Sequence, residues 1–116
     1  MKDHMLEFFP FSYFKINSKG SILVSSKRAH TLFNIPLDLL NIVHIDDQPR
    51  ALAFLTSFAH NEPLTTSLRL QIVNGSFTDF TCTVNWEQRI GHLVCIEKKP
   101  LVNYFIDLNQ KNKELQ

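Results

Sequence analysis

The sequence predicts one α+β domain, a five-stranded antiparallel sheet with short helices on one face. Apolar and polar residues alternate through residues 68–72, 77–86 and 90–96, which indicates three strands of a meander. Asn74-Gly75 supplies a turn between the first two of them. Two shorter alternating segments near the start of the chain add two strands, and helix-like spacing follows them. A meander of this length needs helices to cover its apolar face.

Composition and charge limit the function classes. The chain has 116 residues, 44% of them hydrophobic, which suits one domain with a core. Its 12 basic and 11 acidic residues give a formal net charge of +1, so no long-range field attracts nucleic acid. We recognise neither a membrane-spanning apolar run nor a signal peptide, and therefore expect a cytoplasmic protein with Cys82 and Cys95 as reduced thiols.

The first half of the chain predicts a hairpin that runs into a helix. Residues 12–17 and 22–24 have the alternation of short strands. Ser25 or Ser26 can then accept a backbone hydrogen bond as the N-cap of a helix over about 27–34. These elements place two strands before the first helix.

The middle of the chain predicts further short helices. Residues 37–45 are apolar and only moderately periodic, which suits one or two helical turns that close over a sheet. Asp46 or Asp47 as N-cap, with Pro49 in the first turn, then predicts a helix that continues through 51–60.

The pairing of the last three strands follows from the turns between them. In the first hairpin we prefer a three-residue loop, which pairs Leu70 with Phe80. The alternative is a two-residue loop, which shifts the pairing by one position. In the second hairpin a turn at residues 88–89 predicts that Trp86 lies opposite Gly91, where a large ring has room.

The outward face of the last two strands is unusually apolar, so we expect something to cover it. The tail offers one cover, because its apolar residues recur at intervals of four and three, as on the seam of a paired helix. Packing of the tail back onto the sheet is the alternative. The predicted dimer and signalling residues are Ile90, Val94, Ile96, Leu101, Phe105, Leu108, Asn112 and Leu115.

The order of these elements resembles the PAS family, and the resemblance covers residues 11–98. Its carriers are residues 13–22, 32–33, 43–47, 74–77 and 91–97. His44-Ile45-Asp46-Asp47 is similar to the family's His-Pro-Asp-Asp segment, with isoleucine in place of the proline. The resemblance implies a domain that senses a small ligand, light, oxygen or redox state, or that dimerises, and that passes a change in its sheet to an adjoining helix.

A ligand pocket between the helices and the sheet is the site that this architecture suggests. Its predicted lining is Phe14, Phe33, Leu52, Leu55, Leu70, Phe80, Trp86 and Leu93. Arg69, Asn85 and Trp86 offer polar groups to a ligand, although Arg69 is expected on the solvent face. The alternative is that the large side chains fill the space completely.

The residues give little indication of a bound cofactor or of an enzymatic activity. Both cysteines fall on predicted strands, which disfavours a flavin adduct of the family's photosensor type. His60 is the one histidine kept as a candidate haem ligand, with a solvated or capping role as the alternative. The histidines and cysteines show no metal-site spacing, and no phosphate loop, nucleophile elbow or paired carboxylates occur. We predict no cofactor and no enzymatic activity, with an unknown small ligand as the open question.

The sequence thus predicts three segments: an N-terminal cap at 1–11, a PAS-like domain at 12–98 and a linker helix at 99–116. The predicted function is a homodimeric sensory or regulatory input domain. It relays a small-molecule or redox signal through its C-terminal helix to an output such as a histidine kinase. The alternative is a dimerisation or protein-docking module that binds no ligand.

Overall fold

The five predicted strands form one antiparallel sheet in the computed structural model, which describes residues 9–58 and 62–98. The strands are β1 (Ser12–Ile16), β2 (Ile22–Ser25), β3 (Leu64–Gln71), β4 (Phe77–Glu87) and β5 (Ile90–Glu97). They lie side by side in the order β2-β1-β5-β4-β3. Strand β5 therefore occupies the centre of the sheet, between β1 of the first hairpin and β4.

Within residues 9–58 and 62–98 the helical segments all lie between β2 and β3 in the chain. They are α1 (Lys27–Leu32), two 3₁₀ turns (Leu39–Ile42 and Ile45–Asp47) and α2 (Gln48–Leu55). Ser26 is the N-cap of α1, and its Oγ accepts a hydrogen bond from the Ala29 N–H at 3.2 Å. No helix in the described ranges has the length and apolar content that a bilayer crossing requires.

Helix α2 buries a different stripe from the predicted one. Its buried residues are Ala51, Phe54 and Leu55, at the i, i+3 and i+4 positions of one helix face. Leu52 lies beside this stripe and is 53% exposed. The prediction that Leu52 lines the interior is therefore wrong, because the helix is rotated so that its neighbour Ala51 faces the sheet.

The loop between β3 and β4 has the predicted length of three residues, but it begins at a different residue from the predicted one. The Ile72 N–H donates to the Ser76 carbonyl at 2.9 Å, so three residues form the loop, one position earlier than predicted. Its last residue is a glycine with φ +91°, the conformation that closes such a loop. Leu70 consequently lies opposite Thr78 and not Phe80. Because the difference is two positions, the same side chains still face inward.

The hairpin between β4 and β5 has the predicted register. Residues 88–89 form the turn, with φ values of +50° and +66°, and Cys82 lies opposite Cys95. Trp86 lies opposite Gly91, and a Cβ on this glycine would come within 2.9 Å of the indole ring. The ring therefore occupies the space that a side chain at position 91 would need.

Candidate functional site

The inner face of the sheet, under the helices, consists of rows of directly opposed residues. From one end of β1 to the other, the rows are Ser12, Cys95 and Cys82; then Phe14, Leu93 and Val84; then Ile16, Gly91 and Trp86. The first and third rows are four residues apart along the strand, or about 13 Å. The two ends of this face are thus separate environments.

Seven of the eight side chains predicted to line a pocket are buried in this interior. They are Phe14, Phe33, Leu55, Leu70, Phe80, Trp86 and Leu93. Leu52 is the exception, as described above. Burial places these residues where a ligand of this architecture would sit, and their role in binding stays a prediction.

Phe33 joins the helical layer to the sheet at the centre of the interior. It follows directly after α1, and its ring centroid lies 5.7 Å from that of Phe14 on β1 and 5.3 Å from that of Phe80 on β4. Tilted aromatic pairs at this separation attract beyond the area they bury. The three rings fill the middle of the core.

Trp86 carries a buried polar atom that has no partner in the described part of the chain. Its indole Nε1 has no hydrogen-bond acceptor among residues 9–58 and 62–98. The ring packs edge-on against Phe58, with centroids 5.7 Å apart. A buried N–H without an acceptor is unfavourable, so this atom is available to an acceptor brought by a ligand or a water molecule. Of the three side chains predicted to offer polar groups to a ligand, only Trp86 faces the interior.

Ser12 carries the second buried polar atom without a partner in the described ranges. It is 1% exposed and begins the inner row that continues with Cys95. Sequence analysis missed this residue. A signal was present, because Ser12 occupies the inward position of an alternation in which Phe14 and Ile16 are apolar.

Asp47 links the helical layer to β3. Its carboxylate accepts two hydrogen bonds from the Arg69 guanidinium, at 2.8 and 3.0 Å, and a third from the Arg69 backbone N–H at 2.8 Å. The side chain is only 5% exposed, and Arg50 contributes a further contact at 3.3 Å. These partners outweigh burial, so that hydrogen bonding from Arg69 holds the pKa of Asp47 well below its ordinary range.

This arrangement bears on two predictions. Asp47 is the N-cap residue of α2, one of the two predicted positions, but its side chain makes no cap hydrogen bond. Arg69 alternates with buried Leu68 and Leu70 and its side chain is 39% exposed, in agreement with the predicted solvent face, and its guanidinium also donates to the Asp47 carboxylate. Asn85, the third side chain predicted to offer a polar group to a ligand, is exposed. The structure therefore does not bring Arg69, Asn85 and Trp86 together.

The outer face of the sheet carries the apolar residues assigned to signalling. Ile90 and Val94 are half-buried and Ile96 is 44% exposed, and all three alternate with the inward residues of β5. Their role in an interface stays a prediction. The remaining predicted signalling residues lie outside the described residues: Leu101, Phe105, Leu108, Asn112 and Leu115.

Tyr13 and His92 form a pair on this outer face that sequence analysis did not identify. The Tyr13 hydroxyl and His92 Nδ1 are 2.7 Å apart, and the two rings stack with centroids separated by 6.0 Å. Burial raises the pKa of Tyr13. The antiparallel pairing of β1 with β5 places Tyr13 opposite Val94 and diagonal to His92, a neighbour relation that the sequence of one strand alone does not give.

Cys82 and Cys95 are free, buried and directly opposed across β4 and β5. Hydrogen bonding with the Cys82 thiol and burial both raise the pKa of Cys95. A raised pKa keeps a thiol protonated and therefore unreactive. Their environment is that of core residues and not of a nucleophile.

The described ranges contain no group of three or more histidine, cysteine, aspartate or glutamate side chains placed to hold a metal ion. His60, the candidate haem ligand, lies outside the described residues. The site residues on which a function can be argued are therefore those of the inner face, the Asp47 cluster and the outer face.

Comparison with known proteins identifies the fold. No protein-family model and no curated protein sequence matches the chain. Among solved structures, a domain of a sensory box sensor histidine kinase/response regulator from Geobacter sulfurreducens is similar, with a TM-score of 0.69 and 14% identity. That similarity covers 82% of this chain and 90% of the Geobacter chain.

Two further structures are PAS domains by name. The PAS domain of the Cronobacter turicensis quorum-sensing receptor RpfR, in complex with BDSF, gives a TM-score of 0.67 at 7% identity over 78% of this chain and 96% of that chain. The PAS domain of Bordetella pertussis BvgS gives 0.67 at 10% identity over 97% and 95%. The sheet order, the helices between β2 and β3 and these similarities show that the chain has the PAS fold.

Proposed function

We propose, from the PAS fold of this chain, that it is a sensory input domain that binds a small molecule against the inner face of its sheet. The observation that carries the proposal is the buried Nε1 of Trp86, which has no acceptor in the described ranges. The solved PAS domain of RpfR is in complex with BDSF, so a domain of this fold is able to hold a small molecule.

The surroundings of Trp86 define the class of ligand. Phe58 and the neighbouring core residues present apolar surface, and the indole N–H presents one donor. A compact, largely apolar molecule with one hydrogen-bond acceptor satisfies both features. Its acceptor would remove the cost of the unpaired donor, which favours such a molecule over a pure hydrocarbon.

Native mass spectrometry of the protein as purified from cells tests this proposal. We expect extra mass on the wild type and its loss in Trp86→Phe, which keeps an aromatic ring and removes the donor. Phe77→Leu, at an exposed position of the same strand, is the control and should keep the extra mass. A wild-type protein without bound mass would contradict ligand sensing.

The second candidate function is a docking or dimerisation module that binds no small molecule. The packing of Phe14, Phe33 and Phe80 favours it, because three contacting rings occupy the centre of the interior. A bare wild-type protein in the native mass spectrum would support this candidate.

Homodimerisation through the outer face is the second part of the proposal. Ile96 is 44% exposed, and half-buried Ile90 and Val94 extend the apolar surface. Exposed apolar patches of this kind mark interaction surfaces. We further propose that residues 99–116 carry the signal to an output such as a histidine kinase, with 12–98 as the sensing unit and 1–11 as its N-terminal cap.

Sedimentation of Ile96→Asp tests the dimer. A charge buried in an interface is unfavourable, so we expect the wild type to sediment as a dimer and Ile96→Asp to shift to the monomer. Leu23→Asp is a matched control, because Leu23 is 49% exposed on the edge strand β2. An unchanged dimer in Ile96→Asp, or an equal shift in Leu23→Asp, would remove the outer face from the interface.

A further inference from the structure

A groove of about 210 Å³ opens between α1 and the ends of β1 and β5. Phe11, Ser12, Arg28, Leu32, Cys95 and Ile96 line it. It lies at the end of the inner face opposite to Trp86, since Ser12 and Ile16 mark the two ends of β1. The distance of about 13 Å along the strand makes it a separate place from the ligand position proposed above.

The floor of this groove contains the second buried polar atom without a partner. Ser12 is 1% exposed, and its Oγ finds no hydrogen-bond partner among the residues that the structure describes. The neighbouring Cys95 is also buried, and its raised pKa leaves a neutral thiol beside the hydroxyl. A molecule that brings an acceptor to Ser12 Oγ therefore satisfies a group that the described residues leave unsatisfied.

The walls and the rim of the groove indicate which other properties a ligand must have. Leu32 is half-buried, and Phe11 and Ile96 are exposed, so that apolar surface faces the groove. Arg28 places a cation at the rim and forms no ion pair within the described ranges. Glu97 also borders the groove and is exposed to solvent, where it can be hydrated. An apolar body with one anionic oxygen group fits these surroundings.

We propose that this groove is a second ligand site, for a short aliphatic monocarboxylate. The Ser12 hydroxyl donates to one carboxylate oxygen, Arg28 attracts the charge, and the alkyl chain lies against Leu32 and Phe11. The proposal goes beyond the sensory site at Trp86 and does not depend on it. It rests on the groove occurring together with a hydroxyl and a cation for which the described residues supply no partner.

Titration of the ¹⁵N-labelled 116-residue chain with sodium hexanoate, followed by backbone amide spectra, tests the proposal. We expect saturable shifts at Ser12, Leu32 and Cys95 below about 10 mM hexanoate. Ser12→Ala should weaken binding about tenfold, because it removes a hydrogen bond to a charged acceptor. This variant should fold at least as stably as the wild type, since it removes a buried atom without a partner.

The contribution of the Arg28 charge is tested with a neutral substitution and a neutral ligand. Arg28→Gln should weaken hexanoate binding about threefold, the effect of a solvent-exposed ion pair, and leave binding of the neutral hexanamide unchanged. Lys27→Gln is the matched control, since Lys27 is an exposed cation on the same helix and does not line the groove. It should bind hexanoate as the wild type does.

Three outcomes would overturn the proposal. One is the absence of saturable shifts, and another is equal binding by Ser12→Ala and the wild type. The third is a set of shifts centred on Trp86 and Phe58, which would place hexanoate at the other end of the sheet. That last result would support the sensory site while removing this one, so the two proposals fail separately.

Discussion

Asp47→Asn is expected to lower the free energy of unfolding by about 3 kcal/mol at pH 7, as does removal of one partner from a buried ion pair. The carboxylate is 5% exposed and accepts three hydrogen bonds from Arg69. Asparagine keeps the shape but has no charge and only one acceptor oxygen. Urea unfolding at pH 7 measures the change, with the slope of the transition compared to confirm two-state behaviour.

The stability lost in Asp47→Asn should also depend on pH, in a direction that follows from the pKa of Asp47. Arg69 holds the pKa of Asp47 in the folded protein well below its ordinary value of about 3.9. A lowered pKa contributes stability that is fully present above the ordinary value and is lost as the pH falls toward the lower one. The stability difference between wild type and Asp47→Asn should therefore shrink by about 1.3 kcal/mol between pH 7 and pH 3.

Asp46→Asn is the matched control for both measurements. Asp46 is the neighbouring carboxylate, but its side chain is 73% exposed. Its replacement should change stability by less than about 0.5 kcal/mol. A loss in Asp46→Asn equal to that in Asp47→Asn, or a difference for Asp47→Asn that does not change with pH, would contradict a stabilising role for the Asp47 ion pair.

Much of the fold could be predicted because strands and turns have local signals. The alternation in β4 and β5 fixes which side chains face inward, and the short second turn fixes their register. The register of the β3–β4 hairpin was harder to predict, because a glycine permits three-residue loops that begin at different positions. The two-position difference there kept every side chain on its predicted face.

The site was less predictable, because its contacts join residues that are distant in sequence. Asp47 and Arg69 are separated by 22 residues, and either side chain alone is typical of a solvated surface. The error at Leu52 has a local cause, since a helix of eight residues offers two overlapping apolar stripes. Only packing against the sheet selects between them. Ser12 was detectable, as a polar residue at an inward position.

Phe33→Ala is expected to lower the free energy of unfolding by about 4 kcal/mol, the middle of the range for truncation of a buried aromatic residue. Phe33 is 2% exposed and contacts Phe14 and Phe80 from the helical layer, so its removal leaves a cavity that both layers line. Urea unfolding measures the loss. Phe77→Ala is the control, because that ring is 44% exposed and its loss should cost far less.

The cavity also separates sensing from docking. A space lined by apolar side chains binds small aromatic molecules, so Phe33→Ala should be stabilised by saturating benzene in a thermal melt. If the wild type is filled at this point, benzene should leave its melting temperature unchanged. If the wild type is stabilised to the same extent, the interior already holds space between Phe33 and the sheet, which favours a sensor over a docking module. A cost below about 2 kcal/mol for Phe33→Ala, without benzene binding, would show that the layers close over the gap and would contradict a rigid aromatic core.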